Sequence, residues 1–189
     1  SDVCSSDLAK SDPHWTDKAD VGAKSTDGSV RSAISSTVPG STIILSIGHN
    51  DATGTNTAPE KIAAQVNSIV ETALGKKLKI YFLLFPTGNN EKITRRNRQV
   101  RDAIYSAIKS KVDILDLNRG TVSKDGIHLN GSDYQRISNY ILNPTKADAP
   151  VSNKSTGASS GVGKTVAGGA GAVAIKAGPG ATVSPGQVS

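Results

Sequence analysis

The chain is poor in the residues that staple or fill small folds: one cysteine in 189 residues, one tryptophan, two phenylalanines and an aromatic share of 4%. A single thiol excludes an internal disulfide framework and a four-cysteine zinc site. Three histidines, His14, His49 and His128, leave few places for metal binding or acid–base chemistry. No run of eighteen apolar residues occurs, and the first residues hold no hydrophobic export segment. The sequence as given is therefore predicted neither to span a membrane nor to carry an export signal. Its hydrophobic share of 36% is low for one compact domain, and its formal charge of +6 is moderate.

Those averages conceal three segments. Residues 1–8, Ser-Asp-Val-Cys-Ser-Ser-Asp-Leu, read as the translation of the end of a common sequencing adapter. They are predicted to be an artefact, with a natural protein longer at its N-terminus and Cys4 foreign to it. Residues 144–189 are predicted to be a flexible linker or tail leading to further domains. From residue 151 onward there is no aromatic side chain, the only charges are Lys154, Lys164 and Lys176, and the text is Gly, Ala, Ser, Val, Thr and Pro. Such a stretch has too few large side chains to offset the entropy of ordering it. Residues 158–165 fit a permissive phosphate-loop pattern ending Gly163-Lys164-Thr165, but no strand signal precedes them and a glycine cluster follows. A nucleotide site requires both a strand before the loop and a helix after it.

Between these lies residues 9–143, where strand and helix signals alternate. Residues 41–47 and 78–85 are short β-branched and apolar runs of the kind buried parallel strands need, and 112–117 is a third. Residues 59–74 place Ile62, Val66, Ile69, Val70 and Ala73 on one helical face. Pro59 and Glu60 suit that helix's start, and Gly75 is predicted to stop it. Residues 94–110 form a second helix with Val100, Ile104 and Ile108 inward. The basic residues Lys92, Arg95, Arg96, Arg98 and Arg101 are predicted to be its solvated face; with no interleaved aromatics, no nucleic-acid partner is expected. Residues 131–141 read as a closing helix. The alternation predicts an α/β fold, with parallel strands between two helix layers and the reactive site outside the strands' carboxyl ends.

The loop after the first of these strands reads Gly48-His49-Asn50-Asp51, and the segment after the last reads Asp125-Gly126-Ile127-His128. Together with Gly22, which stands 28 residues before Asn50, these blocks resemble those of the SGNH (GDSL-type) hydrolases. The resemblance implies a three-layer α/β/α, flavodoxin-like sheet and acyl-transfer chemistry on esters. It implies His128 as general base, Asp125 as the group that orients it, and Asn50 with the Gly22 N–H as the oxyanion hole. The chemistry is coherent: a histidine acts as base only with its ring orientation fixed, and a developing oxyanion needs placed donors. Asp51 is expected to order its own loop, and His49 to sit at the pocket rim or to be structurally neutral. His14-Trp15 carries no interpretable signal.

Gly-Asp-Ser, the nucleophile block of that family, occurs nowhere in the sequence, and Ser5, Ser6 and Ser11 follow no strand signal. With the adapter-like start, this implies a fragment lacking its first strand and nucleophile, and inactive alone. The implied substrate is a small-molecule or carbohydrate ester, with a short acyl or O-acetyl group, because no long apolar insertion is visible. No metal or organic cofactor is implied. The competing expectation is a non-catalytic binding or structural module of a larger cell-wall-associated or virion protein.

Overall fold

Three apolar runs become adjacent parallel strands, and the remaining elements are arranged about them. The structure, a computed structural model, describes residues 15–17, 20–87, 91–119, 131–143 and 170–176. In chain order these form β1 (Trp15–Asp17), β2 (Asp20–Val21), α1 (Gly28–Ser35), β3 (Thr42–Ser46), α2 (His49–Gly54) and α3 (Pro59–Gly75). They continue with β4 (Lys79–Leu84), α4 (Glu91–Ile108), β5 (Asp113–Asp116), a 3-10 turn (Leu117–Arg119), α5 (Gly131–Leu142) and β6 (Ala170–Lys176). Residues 1–8, the segment 158–165, His14, Asp125 and His128 lie outside the described residues.

The sheet runs β1-β6-β3-β4-β5, with β2 paired to β6. β3 and β4 are parallel with Ile43 beside Ile80, and β4 and β5 are parallel with Phe82 beside Ile114. These strands are buried along nearly their whole length, as expected where both faces are covered. On one face Ile43, Leu45, Phe82 and Ile114 join a single core with α3 and α4. On the other face Ile44, Tyr81, Leu83 and Leu115 are equally buried, and Tyr140 of α5 meets the Tyr81 ring edge-on at 6.5 Å. Two helix layers therefore enclose the sheet, which is the α/β class expected from the alternation.

The structure departs from expectation at the β3 edge. Residues 170–176, predicted to belong to a flexible tail, pair antiparallel with β3, Ile43 beside Ile175 and Leu45 beside Val173. The sheet is thus mixed rather than wholly parallel. An open strand edge presents a row of backbone donors and acceptors, and the proline-free run Ala170–Lys176 can satisfy them. Composition alone undervalues that backbone pairing. α3 ends at Gly75, as expected, although that glycine is not the left-handed residue of its C-terminus. Gly75 remains helical, and the left-handed residue is Lys77 at φ 61°. Its N–H bonds the Leu74 carbonyl at 2.8 Å and that of Leu78 bonds the Ala73 carbonyl at 3.1 Å, a Schellman ending that usually uses glycine.

Candidate active site

The carboxyl ends of β3, β4 and β5 deliver three segments to one side of the sheet: residues 47–51, residues 85–87 and the Leu117–Arg119 turn. At the first of these, Gly48 takes φ 104°, a conformation that side chains resist. A Cβ there would stand 2.6 Å from Ile104 Cδ1 and 3.3 Å from the Phe85 ring. Only glycine lets the chain turn this close to α4, and that turn starts α2 with His49, Asn50 and Asp51 in its first turn.

Two of those side chains reach back to the loop that follows β2. The Asn50 amide donates from Nδ2 to the Ala23 carbonyl at 2.9 Å, one residue beyond Gly22. Asp51, only 3% exposed, accepts the Ser25 N–H at 3.0 and 3.2 Å and the Ser25 hydroxyl at 2.6 Å. Asp51 therefore does not order its own loop; it fastens a loop lying 26 residues earlier. Gly22 is solvent-exposed at φ 78°, a conformation that turns the chain out of β2. Of the four residues singled out by sequence, Asn50 and the Gly22 loop are brought together. Asp125 and His128 belong to the connection between the Leu117–Arg119 turn and α5, outside the described residues.

A second polar network ties the three strand ends to α4. Arg101 is 3% exposed and Asp116 is 2% exposed, and they form a two-pronged ion pair at 2.7 and 3.1 Å. Arg101 also donates to the Phe85 carbonyl at 2.7 Å, and Asp116 accepts the Asn118 N–H at 2.9 Å. The Asn118 side-chain carbonyl accepts the Thr87 N–H at 3.0 Å, and the Asn97 amide donates to the Thr87 carbonyl at 3.1 Å. Arg96, half-buried, donates to the carbonyls of Ala52 at 3.3 Å and Thr57, closing the end of α2. The expectation of a wholly solvated basic face is thus corrected at Arg96 and Arg101. Arg101 lies four residues from Asn97 and three from Ile104, on the inward face, and Asp116 within an apolar strand demands a cationic partner. That carboxylate was the signal in the sequence.

The arrangement can present amide donors at strand ends, held by buried hydrogen bonds. Among the described residues no group of three or more His, Cys, Asp and Glu is disposed to hold a metal ion. No described helix is long and apolar enough to cross a membrane. No family model matches the chain, and no curated protein matches it. Among solved structures it is similar to the crystal structure of TesA, at 17% identity and a TM-score of 0.48, over 67% of this chain and 74% of that one.

Proposed function

We propose that this chain carries part of the acyl-transfer site of an ester hydrolase of the SGNH kind. What supports this most is the bond from the Asn50 amide to the Ala23 carbonyl, which sets a side-chain donor beside the Gly22 loop at the carboxyl end of a central strand. The Asn50 side chain and the Gly22 N–H are assigned to the oxyanion.

In the proposed reaction a serine on a segment preceding residue 9 attacks the ester carbonyl carbon while His128 takes its proton. The carbonyl π electrons move onto oxygen, and the resulting oxyanion is held by Asn50 and Gly22. Collapse expels the alkoxide, which leaves as the alcohol with the proton from His128, and an acyl-serine remains. Water attacks it, again losing a proton to His128, and the acid departs as the serine is reprotonated. Asp125 holds the His128 ring in place throughout. The substrate is a short-chain ester or a carbohydrate O-acetyl ester.

The test is hydrolysis of p-nitrophenyl acetate by the natural protein with its upstream segment included. Turnover abolished by His128→Ala supports the proposal. An upstream strand with no nucleophile, together with no turnover, rejects it in favour of a binding or structural module of a larger assembly.

A further inference from the structure

The end of the sheet away from the Asn50 loop has a chemical character of its own. The connections that enter β3, β4 and β5, residues 36–41, 75–78 and 109–112, hold Lys76, Lys77, Lys109 and Lys111 and no acidic residue. Lys79 opens β4 at the same end, with its ammonium 5.0 Å from the centre of the Tyr81 ring. Of these lysines all but the half-buried Lys76 are exposed. They are flanked by Glu71, which is bonded to Lys111, and by Asp113, which opens β5. Positive charge therefore exceeds negative on this face.

The same face carries Val38 and Leu74, 53% and 36% exposed, the two large hydrophobic side chains that stand out into solvent among the described residues. Backbone bonds make them neighbours. The Gly40 N–H donates to the Lys77 carbonyl at 3.2 Å, and the Lys77 N–H donates to the Leu74 carbonyl at 2.8 Å, so the Val38-Pro39-Gly40 turn lies against the end of α3. Lys76 fastens the junction to α1, donating to the Ile34 carbonyl at 3.0 Å and to the Ser35 carbonyl. Lys111 donates to Asn67 at 2.7 Å and to Glu71, one turn of α3 before Leu74. An apolar tip among lysines is thus held in place by the fold.

A soluble polyanion would engage the lysines and leave Val38, the exposed Pro39 and Leu74 in water. A bilayer with anionic headgroups engages both, with lysines at the phosphates and apolar side chains at the boundary with the acyl chains. We propose that this face docks the chain on an anionic membrane surface, with the Asn50 loop at the opposite ends of the strands turned toward solution. The docking does not depend on the ester-hydrolase proposal.

Co-sedimentation of the 189-residue chain with vesicles tests the proposal. Vesicles of equal parts phosphatidylcholine and phosphatidylglycerol are expected to bind the chain about tenfold more tightly than pure phosphatidylcholine, the difference shrinking as salt is raised. Lys77→Asn combined with Lys109→Gln is expected to weaken binding to the mixed vesicles about tenfold; asparagine accepts the left-handed backbone at residue 77. Arg95→Gln with Arg98→Gln removes equal charge from exposed positions in the first half of α4, toward the other end of the sheet, and is expected to leave binding unchanged. Val38→Ser with Leu74→Gln keeps the charge, and is expected to weaken binding to mixed vesicles severalfold while leaving binding to soluble polyphosphate as it was. Equal binding to the two kinds of vesicle overturns the proposal, and this comparison needs no variant to fold. An equal loss from the arginine pair overturns the choice of face. Mixed vesicles bound undiminished by the Val38 and Leu74 double variant overturn membrane docking in favour of a polyanion site.

Discussion

Asp51 accepts both the backbone N–H and the hydroxyl of Ser25, and so binds the first turn of α2 to the loop that follows β2. Both residues are buried, Ser25 completely. Replacing Asp51 by alanine leaves the desolvated Ser25 N–H without its acceptor, at a cost of about 1–3 kcal/mol, while the Ser25 hydroxyl keeps Gln65 Oε1 at 2.9 Å as an acceptor. The expected outcome for Asp51→Ala is a loss of about 1–3 kcal/mol in urea unfolding. Asp51→Asn keeps one acceptor oxygen and should lose less. An alanine variant as stable as the parent would mean that this tie does not hold the loop.

Gly48 is constrained by backbone and by space together. Gly48→Ala is expected to destabilise by about 2–4 kcal/mol, from the left-handed conformation and from overpacking against Ile104 Cδ1. Ile104→Val removes that methyl carbon. A double-mutant cycle read by chemical denaturation should therefore show the pair recovering about 1 kcal/mol relative to the sum of the single changes. Strict additivity would place the strain elsewhere.

The Arg101–Asp116 pair is nearly inaccessible to solvent, with side-chain exposures of 3% and 0%. Removing one partner strands a buried charge, so Arg101→Met or Asp116→Leu alone is expected to cost about 3–5 kcal/mol. Replacing both removes the stranded charge, and the double variant should be more stable than either single one. Thermal unfolding of the three variants checks the order.

At the surface the opposite regime applies. The Glu71 carboxyl lies below its ordinary value of 4.5, first through the hydrogen bond from Lys111 and then through its charge. A carboxyl lowered on folding contributes its stability above that ordinary value and loses it as the pH falls through the lowered one. Glu71 faces solvent, so the contribution is small and screened by salt. In Lys111→Ala the acid limb of the Tm against pH curve is expected to flatten slightly at low salt and to coincide with the parent at high salt. A difference that persists in high salt would contradict a screened surface pair.

The parts of this fold legible in the sequence are those that signal locally. β3, β4 and β5 are continuous apolar runs, and α3 and α4 carry regular inward residues, so each was recognisable within a few positions of its observed ends. α1 and α2 were not, because Gly28–Ser35 is short and serine-rich and His49–Gly54 has only six residues. β6 is not legible because its pairing partner, β3, lies more than a hundred residues away in the chain. The site divides in the same way. The Gly48-His49-Asn50-Asp51 text marked a strand-end turn, and its cooperation with the Gly22 loop was expected from the motif order. The Asp51–Ser25 tie depends on which helix start faces which loop, and spacing along the chain carries no record of that; the burial of Arg101 was signalled only by the Asp116 carboxylate within its apolar strand.

The central claim is that Asn50 donates a hydrogen bond to a developing oxyanion. Its most direct test is the steady-state hydrolysis of p-nitrophenyl acetate by a protein that includes the proposed nucleophile segment, beside its Asn50→Ala variant. A fall in kcat of about 10²–10³-fold with KM nearly unchanged is expected, since the donor is needed in the transition state rather than in substrate binding. An Asn50→Ala variant that keeps the parent's kcat would contradict the account.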